Sequence, residues 1–332
     1  MITLALSKPT VLAVAGPILA LWLAFPAIAW WISRPLVRRR EELTVDQTLF
    51  LRKFSRKTWA FFETFVGRED HWLPPDNYQE HPVAVVAHRT SPTNMGLALL
   101  ANLSAYDFGY LSTGQLIERT TKAFNTMESL ERHQGHFYNW YDTQTLKPLH
   151  PLYISSVDSG NLAGHLLTFQ SGLLALPDHK IPGARFLEGL SDTLEIIIDT
   201  ASAAPAGAAP EVTVQLARLR NDLDLATRSR PATISALRLF LDRLAASAAL
   251  MAEGVGALDP DPESQLKWWA NAFAGQCRNE LDELAYFTPW TELLSSQTAR
   301  PDVQGGRVEA DRVRKKARCS VGYFGVRLQC HR

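Results

Sequence analysis

SPTNMGLALLANLSAYDFGYLSTGQLIER, running from Ser91 to Arg119, decides the fold. Ser91 followed by Pro92 reads as an N-cap and a first helical residue, since proline lacks an N–H that a helix start leaves unpaired anyway. Met95, Leu97, Leu99, Leu100 and Leu103 carry the helix to about Phe108, and Gly109 ends it. Ser112 with Gln115 forms a capping box that opens a second helix, to about Arg132. The same grammar recurs on either side of this stretch.

Toward the N-terminus, Thr44-Val45-Asp46-Gln47 is a capping-box pattern for a helix reaching about Val66. Leu49, Phe50, Phe54, Trp59, Phe61, Phe62 and Phe65 form its apolar stripe. Pro74-Pro75 and Pro82 make Gly67 to His88 a loop. Toward the C-terminus a helix starts near Asp158 or Ser159 and passes through Leu162, Leu166, Leu167 and Leu173 to Leu176. Further helices are expected at about 184–200, 210–228, 231–253, with Pro231 in a first turn, and 262–286. APAGAAP, Ala204 to Pro210, is a linker, and no repeated strand pattern occurs. The body is therefore all-α.

Before it lies VLAVAGPILALWLAFPAIAWWI, Val11 to Ile32, uncharged and long enough to cross a bilayer. Trp30 and Trp31 occupy one end, followed by Arg34, Arg38, Arg39 and Arg40. By the positive-inside rule this basic end, and the body after it, face the cytoplasm. Ala27-Ile28-Ala29 resembles a signal-peptide cleavage site, but the long apolar run and the basic cluster after it favour a span. The expected organisation is a transmembrane helix with its basic flank at 1–40, a helical body at 41–298 and an irregular basic tail at 299–332. That tail reads as a flexible basic segment, a nucleic-acid contact or out-of-register translation, and the last is favoured.

Thirty-four basic side chains balance 34 acidic ones, so bulk charge points to no nucleic-acid partner. The three cysteines, Cys277, Cys319 and Cys330, show no metal-ligand spacing and no even disulfide framework. His88, His136 and His165 have no HxH or HxxxH spacing either, so no metal is expected.

Three polar clusters interrupt the helices: His88 to Asn94, His136 to Asp142, and Ser155 to Asn161. Each joins hydrogen-bonding side chains to a helix start or an aromatic. A sugar needs this mixture, because its axial C–H face packs on aromatic rings and its hydroxyls need fixed donors and acceptors. Paired carboxylates such as Asp142 and Asp158 could also act as acid and base on a glycosidic bond. Simpler roles compete: Asp158, Ser159, Ser91 or Thr93 as helix caps, Trp140 and Tyr141 as core anchors, and an Arg89–Asp142 salt bridge.

HRTSPTNMGLALLANLSAYDFGYLS and GHFYNWYDTQTLKPLHPLYISSVDSGNLAGHL, with the apolar span and its basic flank, resemble part of cyclic β-1,2-glucan synthase, a large bacterial inner-membrane enzyme. The resemblance runs over roughly residues 10 to 295. It implies an incomplete α/α-barrel, a glucoamylase-like toroid of helical hairpins at the front of the cytoplasmic cyclisation domain, after the last membrane helix of a glycosyltransferase part. It implies linear β-1,2-glucan as ligand, inner-membrane lipid around the span, and the rest of a parent polypeptide as partner. No cofactor belongs to this region, since UDP-glucose serves the transferase part, whose DxD-type and QxxRW-type motifs are absent. The acid pair of the family is expected beyond this chain, which alone would be incomplete and inactive. Arg89, Thr90, Asn94, Tyr138, Asn139, Trp140, Tyr141, Asp142, Asp158, Ser159 and Asn161 would then hold glucan rather than cleave it. The rival readings are a self-sufficient membrane-anchored glucan-binding scaffold and a short hydrolase using Asp142 and Asp158.

Overall fold

The computed structural model describes residues 9–34, 43–180, 182–183, 185–203, 209–259, 261 and 264–290. Arg38, Arg39 and Arg40, the linker residues 204–208, Cys319, Cys330 and the 299–332 tail lie outside the described residues. The chain divides into two compact units near Val45.

The first unit holds α1 (Pro9–Ile32), which includes Pro17 and Pro26. It is the one helix among the described residues long and apolar enough to cross a membrane, and no residue of Ala15–Ile32 is buried. The Arg34 guanidinium lies 3.9 Å from the centroid of the Trp30 ring, a cation–π pair at the basic end of the apolar run.

The second unit contains eight helices among the described residues: α2 (Val45–Phe65), α3 (Pro92–Phe108), α4 (Thr113–Ser129), α5 (Ser156–Ala175), α6 (Phe186–Ala203), α7 (Pro210–Arg228), α8 (Ile234–Leu258) and α9 (Gln265–Phe287). No barrel closes among them. Instead α6 packs on α7, α7 on α8, α8 on α9, and α9 returns to α6. That cycle encloses an apolar core containing Leu190, Leu194, Ile196, Leu219, Leu241, Ala248, Met251 and Phe273. A second core sits between α3, α4, α5 and the loops, around Leu73, Met95, Leu99, Met127, Tyr141, Leu162 and Phe169.

The α3–α4 connection matches its sequence signals. Ser91 accepts from the N–H of Asn94, and Ser112 and Gln115 complete a capping box. Gly109 adopts a left-handed φ of 80° and donates back to the carbonyls of Ala105 and Tyr106. A Cβ at this position would lie 2.3 Å from the Arg185 carbonyl oxygen, so both conformation and space require glycine.

Four local expectations change. The α2 stripe is not one continuous core face: Leu49, Phe50 and Phe54 are exposed, whereas Arg56 is buried with Trp59. Arg56 donates to Thr193 at 2.8 Å, pairs with Glu63 at 2.9 Å and lies 5.0 Å from the Trp269 ring centroid. Neighbouring Arg52 bonds both Asp192 and Glu188 at 2.8 Å. Polar contacts thus fasten this half of α2 to α6, so its apolar residues turn outward. Helix α4 stops at Ser129 rather than Arg132, because β4 (Arg132–His133) pairs with β5 (His136–Phe137). Helix α5 is capped by Ser155, which leaves Asp158 in the first turn. Helix α8 is capped by Thr233, which leaves Pro231 outside it.

Short strands join the loops. They are β1 (Tyr78–Gln79) with β2 (Val85–Val86), β3 (Arg89–Thr90) with β6 (Tyr141–Asp142), and the β4–β5 hairpin. Each strand is two residues long, too short to give a periodic sequence signal.

Candidate functional site

The β3–β6 pair brings the first two polar clusters together, with Arg89 opposite Asp142 and Thr90 opposite Tyr141. Beneath it lies a buried polar floor. Asp70, which is 4% exposed, accepts from Thr143 and hydrogen-bonds His88 Nδ1 at 2.8 Å. Thr90 is fully buried, and its hydroxyl has no partner among the described residues.

Tyr141 is also fully buried. Its hydroxyl accepts from the Tyr138 N–H at 2.8 Å and donates to the Glu131 carbonyl at 2.7 Å. Burial pushes the phenol up to about 12, against the opposing hydrogen bond from Tyr138. Tyr141 therefore anchors the loop and has no free face for stacking. Tyr138 is half-buried and meets the Tyr141 ring edge-on. Asp142 closes the turn that follows: its Oδ1 accepts from the N–H groups of Gln144 and Thr145 and from the Thr145 hydroxyl. Slight burial raises the carboxyl, but these hydrogen bonds outweigh it and hold Asp142 below the usual range. Asp142 does not pair with Arg89.

Arg89 instead donates to Asp76 Oδ2, from Nη2 at 2.9 Å and from Nε at 3.2 Å. The other Asp76 oxygen accepts from the Asn94 side chain at 3.3 Å. The Arg89 guanidinium also lies 4.9 Å from the Trp140 ring centroid. Trp140 then leads to Asn139, which is 6% exposed. With its amide oriented so that every neighbour is satisfied, the Asn139 oxygen accepts from Trp140 Nε1 and from the Tyr153 hydroxyl, both at 2.6 Å. Its nitrogen donates to Asp158 Oδ2 at 3.0 Å. Asp158 Oδ1 accepts from the Thr93 hydroxyl at 2.5 Å, and Thr93 in turn accepts from Asn161 at 3.1 Å.

One continuous run of interactions thus passes through Asn94, Asp76, Arg89, Trp140, Asn139, Asp158, Thr93 and Asn161. It unites all three polar clusters of the sequence. Ser159 stays outside it, because its hydroxyl donates to the Ser155 carbonyl within α5. Asp76, Thr93 and Tyr153 belong to it although the sequence does not mark them as ligand-holding residues. Tyr153 carried a signal, an aromatic between Pro151 and a helix start, and its ring is 49% exposed. Asp76 followed two prolines in a loop and carried none.

Aromatic rings stand beside fixed amide, hydroxyl, guanidinium and carboxylate groups. Both Asp158 oxygens accept from neighbouring side chains, and Asp142 Oδ1 is held in a turn. Among the described residues no group of three His, Cys, Asp or Glu side chains could hold a metal ion.

No family model matches the chain. Over 194 residues it is 39% identical to the cyclic β-(1,2)-glucan synthase NdvB of Rhizobium meliloti (strain 1021). The chain is related to this synthase. The match covers 57% of the chain and 7% of the synthase, so the chain spans a small part of its relative's length. As a helix long and apolar enough to cross a membrane, α1 fits an association with a membrane.

Proposed function

We propose that the loop surface around Asn139 holds linear β-1,2-glucan for a synthase of the NdvB type, presenting the chain to catalytic groups elsewhere in the parent polypeptide. The observation that carries this reading is the Asn139 junction, where one buried amide locks two aromatic rings and a carboxylate into a single frame. A frame of this kind loses little side-chain entropy when a sugar docks, and it penalises ligands that leave its polar groups unpaired. Tyr153 supplies the open aromatic face, and Arg89, Asn94 and Asn161 supply donors at the rim. The residues here position and do not transfer protons. UDP-glucose has no role at this surface. The second unit faces the cytoplasm, with α1 in the inner membrane among its lipids.

Calorimetric titration of the detergent-solubilised full chain with linear β-1,2-glucan tests the proposal. Trp140→Ala combined with Asp158→Asn should weaken binding at least about tenfold, the equivalent of removing one hydrogen bond to the sugar. Circular dichroism should remain unchanged. An unaltered affinity in the double variant contradicts the assignment.

A further inference from the structure

A second feature lies away from the loop network. Between the C-terminal half of α2 and the first turns of α9 runs an open groove of about 400 Å³. Glu63 and Thr64 line one side, and Ser264, Lys267, Trp268 and Asn271 line the other. Positions 267, 268 and 271 fall at spacings of one, three and four, which puts their side chains along one face of α9.

The Lys267 ammonium, the Trp268 indole N–H and the Asn271 amide make no hydrogen bond among the described residues. Glu63 turns Oε2 inward to Arg56 at 2.9 Å. Oε2 itself is buried, and the side chain as a whole is 32% exposed. Trp268 is half-buried, packed against the four-helix core and held edge-to-face on Trp269 at 4.6 Å between centroids. The groove therefore has a braced aromatic wall and donors without a hydrogen-bond partner among the described residues.

We propose that this groove is a second saccharide subsite, taking one or two residues of an uncharged oligosaccharide. A binding site of this type is concave, has an aromatic wall and carries a few fixed polar groups. One carboxylate and one ammonium balance, which disfavours a strongly anionic ligand. The Lys267 charge is shared with Asp259 at the end of α8, whose carboxyl it helps to hold down after the Ser264 and Asp261 hydrogen bonds. An open groove accepts a chain that continues past it, as an oligosaccharide does. The groove shares no residue with the Asn139 network, and the choice of a β-1,2-linked saccharide for it rests on the function proposed above.

The test uses the full chain in detergent micelles, labelled with 5-fluorotryptophan and followed by fluorine NMR. Trp268→Phe and Trp140→Phe identify the two relevant signals. Short linear β-1,2-gluco-oligosaccharides should shift the Trp268 signal saturably, and should still do so in Asp158→Asn. Asn271→Ala should raise the midpoint of that shift about tenfold. Movement of Trp140 alone overturns the groove and leaves the loop reading intact. No movement of either signal overturns both. Glycine moving Trp268 as far as the saccharide does would overturn the ligand class.

Discussion

The four-helix cycle of α6 to α9 and the loop-bearing half around α3, α4 and α5 are built by different means. The cycle is held by aliphatic packing, with Leu190, Ile196, Leu241, Ala248 and Met251 fully buried. The cycle buries polar groups as well, Asp192, Thr193, Gln276, Glu280 and Glu283, most of them bonded to α2, Gly109 or the start of α4, whereas the loop half buries Asp70, Thr90, Asn139 and Thr143 among its own loops. Buried polar groups cost stability unless each finds a partner, so a region that keeps several is under a demand other than packing. In the loop half the network fixes Trp140, Tyr153 and Asp158 around Asn139, and leaves Tyr153 and Arg89 exposed. On the function proposed above, the first region is a support and the second a place for a ligand.

The comparison breaks most easily in the support. Leu190→Ala leaves a cavity at the centre of the cycle and should cost about 2–5 kcal/mol, read as a lower midpoint in denaturant. An effect below about 1 kcal/mol would mean that the cycle is not tightly packed. In the loop half, Tyr141→Phe strands the Tyr138 N–H and the Glu131 carbonyl and should cost about 1–3 kcal/mol. Glucan binding should weaken with it, because the loop carrying Asn139 loosens.

A pH series sharpens the contrast from the other direction. Glu280, on α9, is 3% exposed and its Oε2 has no partner. Burial, with the nearby Glu283 charge, pushes its carboxyl from 4.5 to about 8. The folded state then holds a proton that the unfolded state releases, so stability is full below about pH 4.5 and is lost as pH rises through about 8. Melting at pH 9 should fall below melting at pH 6, and Glu280→Gln should flatten that slope. At the small end, Lys122→Ala removes an i,i+4 pair with Glu118 and a cation–π contact with Trp72 at 4.2 Å, and should cost no more than about 1 kcal/mol.

Most of the helical scaffold was legible because it is written in local signals. Ser91-Pro92, Ser112 with Gln115, and Gly109 act within a few residues of themselves, and each does what its chemistry dictates. The outward turn of Phe50 and Phe54 was not legible, because it depends on Arg52 and Arg56 reaching partners in α6 far along the chain. The site was half legible. Aromatics and amides gathered between helices marked the clusters, and the structure joins Asn139, Trp140, Asp158 and Asn161 of them in one network. They could not separate Tyr141, which points into the core, from Tyr153, which points out. That distinction rests on strand pairs of two residues, whose register no periodicity records.

Hydrogen–deuterium exchange on the full chain, with and without linear β-1,2-glucan, tests the central claim most directly. The account predicts slowed exchange in residues 138–143 and 155–161 and unchanged exchange in α7 and α8. Protection confined to α7 and α8, or no protection anywhere at saturating glucan, would contradict it.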